Sequence, residues 1–176
     1  MPIQERNLSP SLAAKIAQMG IFLSPNANII YVDSGHASTG TGKPGSSPRN
    51  PLSTINAAFT AADTAVTASN GDVVIVMPGH TESITNATDL APDVVGVNIV
   101  GLGRGSDRPT LTFTATGSNI PISAANITMS NFLITNSGTI DVVVAITVSA
   151  ADVLLKDIEI REAAIDDQFV DAIEGA

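Results

Sequence analysis

The chain has 176 residues, the size of one ordinary domain, and 44% of them are hydrophobic, enough for a sizeable core and too few residues for two large domains. Only 14% are charged and 3% aromatic, with Ser, Thr, Asn and Gly filling much of the rest, so neither a coiled coil nor a charge-rich disordered chain fits. Eight Lys and Arg against 17 Asp and Glu leave a net charge of −9, which argues against a nucleic-acid groove or an anionic membrane partner, and the absence of Cys excludes disulfides, thiolate zinc sites and cysteine nucleophiles.

The first residues, Met1 to Arg6, show no basic stretch followed by an apolar one, and no later run approaches bilayer length. A soluble protein with no export signal is expected. Ser9 as a cap, Pro10 at the first helical position and Gly20 as a stop predict a short helix over about residues 10–19. Leu12, Ile16 and Met19 give it one apolar side. A helix this short needs a surface to order it. It either covers an end of its own domain or docks on a partner. In the docking reading Leu8, Leu12 and Ile16 are anchors, and Arg6 and Lys15 pair with acidic groups at the rim.

Residues 29–33 read as a β-run, and 34–50, rich in Gly, Ser, Thr and Pro, as a long loop. Gly40-Thr-Gly-Lys43 within it is no phosphate cradle, because Pro44 replaces the hydroxyl residue and Ala37 the first glycine. Asn50 and Pro51 then predict a second helix to about Ala68, with Ile55, Ala58, Phe59 and Ala62 at helical spacing.

From Gly71 onward short β-runs alternate with turns. Runs starting at Val73, Val97, Ile127 and Val153 begin 24, 30 and 26 residues apart, the spacing of coils in a solenoid. Secondary runs at Thr110–Phe113 and Val142–Val148 predict further sides for each coil. Val73, Ile75, Ile99, Ile127, Met129, Ile158 and Ile160 are expected inside. Roughly four coils at about 4.8 Å each make a short prism whose ends need covering. The helices suit one end. The other, at Phe169–Ala176, has no cap after it, so either a partner covers it or the chain continues.

Asn50-Pro-Leu-Ser-Thr-Ile-Asn-Ala-Ala-Phe59, then Gly71-Asp-Val-Val-Ile-Val-Met-Pro-Gly-His80 and Glu82, resemble the opening of right-handed parallel β-helix proteins of the pectate-lyase-like superfamily. Val97-Asn-Ile-Val-Gly-Leu-Gly103 is similar to that group's coil motif. The resemblance implies an all-β fold, a short right-handed parallel β-helix with N-terminal capping helices. It divides the chain into an arm and helix (1–28), a lead-in strand, loop and capping helix (29–70) and coils (71–176). It leaves activity open, since the superfamily holds lyases, hydrolases, esterases and non-enzymatic phage proteins. Residues 1–15 resemble the start of β-helix proteins encoded among the virion genes of tailed phages, which implies a decoration or cement subunit on the capsid exterior.

The chemistry-bearing residues favour no enzyme. Asp166-Asp167 is the best carboxylate pair, yet strand neighbours point to opposite faces, so it reads as a solvated turn. Arg104, Asp107 and Arg108 decorate a turn bent by Gly103, Gly105 and Pro109. His36 and His80 are the only histidines and lie apart, so no metal site or cofactor is expected, and His80 is assigned an ordinary surface or loop-packing role. Three functions compete: a non-enzymatic capsid decoration protein, expected as a trimer bound to the major capsid protein; a tail spike or fibre module that binds or degrades host polysaccharide; and a fragment of a cellular pectate-lyase-like enzyme. With no Trp and one Tyr, the stacking platforms of a carbohydrate groove are scarce. The decoration protein is the favoured reading.

Overall fold

The computed structural model describes residues 3–4, 14, 17–18, 24–36, 44–61, 65–138, 140–164 and 168–175. The chain is a parallel β-solenoid of about four turns. Its strands are β1 (Ile3–Gln4), β2 (Asn28–Val32), β3 (Val73–Val76), β4 (Thr81–Ile84), β5 (Asn98–Gly101), β6 (Thr110–Phe113), β7 (Ile120–Ile122), β8 (Thr128–Asn136), β9 (Val142–Val148), β10 (Leu154–Arg161) and β11 (Phe169–Gly175). A four-residue helix, α1 (Ala57–Thr60), precedes the coils.

Three stacks form the sides. On the first, β2, β3, β5, β8 and β10 pair in parallel, with Ile29, Val73, Asn98, Thr128 and Leu154 in register. On the second, β4, β6 and the later halves of β8 and β10 align Thr81, Thr110, Leu133 and Glu159. The third is β7, β9 and β11, aligned at Ile120, Ile146 and Ile173. The long strands β8 and β10 turn the corner between the first two sides at Asn131 and Asp157, both left-handed (φ 62° and 52°). Asn and Asp tolerate that conformation better than other residues with a Cβ. Gly101, at the same corner, has no room for a side chain, because a Cβ would lie 2.3 Å from the Asn131 carbonyl oxygen.

Stacking puts like on like inside. Ile30, Val74, Ile99, Met129 and Leu155 form one inward column, and Leu111, Ile134 and Ile160 another. Ile99, Ile127 and Met129 are buried in the core as expected, and Ile158 and Ile160 pack against it half-covered. Val73 and Ile75 are buried on the opposite face. They join Ile29, Tyr31 and Val100 in a second cluster outside the first stack. A strand buried on both faces has no alternation, so VVIV carries no sign of which parity faces inward.

The second expected helix also contracts. Among the described residues of Pro51–Ala68 it is α1 alone, ending where Ala61 turns extended (φ −65°, ψ 124°). Asn56 does not cap it. The amide bonds across to the Thr88 carbonyl and the Ala91 N–H instead, tying this segment to the next coil. Leu52, Ile55, Ala58 and Phe59 still enter the core, as turns and one helical coil. The first expected helix falls on residues that, apart from Ala14, Ala17 and Gln18, which are helical, lie outside the described ones, so the expected pair of capping helices is not supported.

Ile134, fully buried between Leu111 and Ile160, tests the columns. Ile134→Ala should lower the unfolding free energy by about 2–5 kcal/mol in urea titrations, the cost of a core cavity. A loss near zero would mean the side chain does not sit in a packed interior.

Candidate functional site

The densest polar chemistry lies where the second coil begins. His80 is fully buried and its Nδ1 accepts the backbone N–H of Ser34 (3.0 Å), which leaves the ring proton on Nε2, facing Glu82 Oε2 at 3.1 Å. The same oxygen of Glu82 accepts the Ile55 N–H (3.0 Å). Ser34 Oγ accepts the Thr81 N–H (2.9 Å). Ser, His and Glu therefore stand together without forming a triad. A catalytic base must face its nucleophile's hydroxyl, and here the ring faces the serine's backbone. The arrangement staples the 34–55 segment to β4, which matches the loop-packing role expected of His80. The pairing with Glu82 was not read from the sequence, although a His and a Glu two apart after Pro-Gly were its only visible signal.

Asp72, also fully buried, plays the same part at β3. Its carboxylate accepts the backbone N–H of Asn28 (2.6 Å) and of Thr67 (2.7 Å) and the side-chain amides of Asn28 (3.2 Å) and Asn70 (2.6 Å). Four donors offset its desolvation. Beside Glu82, hydroxyls of Ser53, Thr54, Thr60, Thr81, Ser83 and Thr88 line a hollow of about 540 Å³ that Asp89 also borders. The Thr85 hydroxyl on Asp89 holds that carboxyl below its ordinary value; burial opposes it, and the Thr85 and Asn86 backbone N–H groups and the Asn86 amide reinforce it. Burial pushes the Tyr31 phenol up.

The two ends of the solenoid differ. At the first, β2 is covered by the antiparallel β1 at Asn28 and Ile29, and its remaining backbone bonds Gly45 and Leu52. At the last, β10 and β11 pair on one side only. Ile173, stacked on the buried Ile146, is 51% exposed, and Leu154 and Val170 are 54% and 64% exposed. Leu155, Ile158, Ile160 and Phe169 are half-covered, with Phe169 meeting Phe113 edge to face at 5.8 Å. Of the four exposed large apolar side chains among the described residues, three lie on this last coil and the fourth is Val143.

Arg6, Leu8, Leu12, Lys15 and Ile16, the expected docking residues, lie outside the described residues, as do Asp166, Asp167 and the Gly40–Lys43 stretch. Arg104, Asp107 and Arg108 do sit on a turn, a 3-10 helix over Gly105–Asp107, and Arg108 reaches Glu159 at 2.7 Å. His36 is exposed, its Nε2 3.3 Å from the Arg49 carbonyl oxygen. Among the described residues no three His, Cys, Asp or Glu side chains gather as a metal site. Searches with family models, curated proteins and solved structures return no match to this chain.

Two outcomes test the polar anchors. Glu82→Ala strands the buried ring N–H of His80 and the Ile55 N–H, and should cost about 1–3 kcal/mol per unmet group in urea melts. A neutral result would mean that water replaces the carboxylate. Asp89 has a folded-state pKa below its unfolded value, so its stabilisation is present above about pH 3.8 and is lost as pH falls through the folded value. Asp89→Asn should therefore flatten the acid side of the stability profile, and an unchanged acid limb would show that the Thr85–Asp89 bonds carry no linkage.

Proposed function

We propose that this chain is a non-enzymatic structural module of a tailed-phage virion, a decoration or cement subunit on the outside of the head. The observation that carries the reading is the one-sided last coil, where β10 and β11 present unpaired edges and the inward side chains Leu155, Ile160 and Ile173 are left partly exposed. Such a surface needs covering, by a partner or by further chain, and the decoration reading takes the partner. The wiring of His80 supports the same reading, because both ring nitrogens are spent on the scaffold. The resemblance of residues 1–15 to the start of phage β-helix proteins, and of the coils to the right-handed pectate-lyase-like kind, supplies the virion.

In this reading the arm docks on the major capsid protein through Leu8, Leu12 and Ile16, with Arg6 and Lys15 at the rim. Three copies side by side multiply weak contacts into lasting attachment. The net charge of −9 keeps the exterior soluble and away from packaged DNA. A second reading, a tail spike or fibre module that binds host polysaccharide, draws on the hydroxyl-lined hollow beside Glu82.

Quantitative mass spectrometry of purified virions separates them. Decoration predicts a copy number on the scale of the capsid lattice, and a charge-reversed Arg6→Glu, Lys15→Glu variant that folds but no longer binds particles. A copy number matching a handful of tail appendages, or wild-type occupancy by that variant, would overturn the capsid reading.

A further inference from the structure

The corner between the first two sides holds a hollow of about 580 Å³ bordered by Arg104, Arg108, Ser130, Asn131, Lys156 and Asp157. The volume falls within the range of small-molecule sites. Its chemistry is lopsided toward donors. The wall's own acceptors at Gly101 and Gly103 are already taken, because the Asn131 amide donates to both carbonyl oxygens (2.9 and 3.1 Å). Ser130 is only 7% exposed, and its hydroxyl has no partner among the described residues. Arg108 gives one guanidinium nitrogen to Glu159, while its Nε is buried and unpartnered. An N–H left in that state costs free energy, and the guanidinium it belongs to is 25% exposed beside the hollow.

Charge points the same way. Arg104, Arg108 and Lys156 set against Asp157 and Glu159 make this corner +1, so all other residues together carry −10 of the chain's −9. Three of its eight basic residues thus gather at one hollow of a strongly acidic molecule. Arg104 and Lys156 have no acidic partner among the described residues. Structural ion pairing does not explain them.

We propose that this corner is a binding site for a small oxyanion group, a carboxylate or a phosphate, presented by a ligand. The accessible part of the Arg108 guanidinium and the Ser130 hydroxyl supply directed hydrogen bonds, and Arg104 and Lys156 supply charge at the mouth. Asp157 tunes the site against weakly held anions by keeping its net charge low. The surrounding negative surface repels polyanions, so the ligand is compact rather than a nucleic acid.

The test is calorimetric titration of the full chain with citrate and with inorganic phosphate at constant ionic strength, backed by amide shift mapping. Saturable binding is expected, with shifts confined to residues 101–108, 130–131 and 156–157; the tighter of the two anions identifies the ligand's group. The exposed pair Arg104→Gln, Lys156→Gln should weaken it about tenfold while leaving the fold intact. Ser130→Ala, which changes no charge, should weaken it as well. Heats that match those of sodium chloride, or binding unaffected in both variants, would overturn the site.

Discussion

The structure depends on register. In a parallel solenoid every coil must bring its inward residues over those of the coil before, since a slip of one position turns each strand's apolar set outward. The columns Ile30–Val74–Ile99–Met129–Leu155 and Leu111–Ile134–Ile160 satisfy that requirement although the coils differ in length. Length is absorbed at the corners. Between the first two sides the chain uses residues 77–80 in one coil, 102–109 in the next, and the single left-handed residues Asn131 and Asp157 above them. The strands stay aligned because the corners vary.

The polar interior serves the same end. Asp72 and the Glu82–His80 pair lie where the chain steps from the irregular 33–71 stretch into regular coils, and each accepts or relays bonds from segments more than 25 residues away. Backbone donors there have no strand to meet and would otherwise be buried unpaired. These side chains stand in for a missing neighbouring strand at one end. At the other, β10 and β11 have no such substitutes among the described residues.

Periodicity made much of this legible. The run spacings of 24, 30 and 26 read from sequence become 25, 30 and 26 in the observed register, since Val73 pairs with Asn98. The sides Thr110–Phe113 and Val142–Val148 were visible as runs. Facing was legible only where polar residues alternate, as in β10, and was lost in β3, where a second cluster buries the outer side. Helix punctuation at Asn50-Pro51 misled because Asn56 spends its amide on the next coil and Thr60 bonds back to the Asn56 carbonyl. The hollow at Arg108 and Ser130 was invisible, because its residues come from three coils.

The most direct test of the in-register stack uses the absence of Cys. Paired substitutions Thr128→Cys with Leu154→Cys, and Asn98→Cys with Thr128→Cys, place thiols on one outer face of adjacent parallel strands, within the Cα spacing a disulfide tolerates. Offset controls, Thr128→Cys with Leu155→Cys and Asn98→Cys with Met129→Cys, put them on opposite faces. Rapid oxidation of the in-register pairs and none of the offset ones is the result predicted for this solenoid. Equal oxidation of both sets, or preference for the offset pairs, would contradict it.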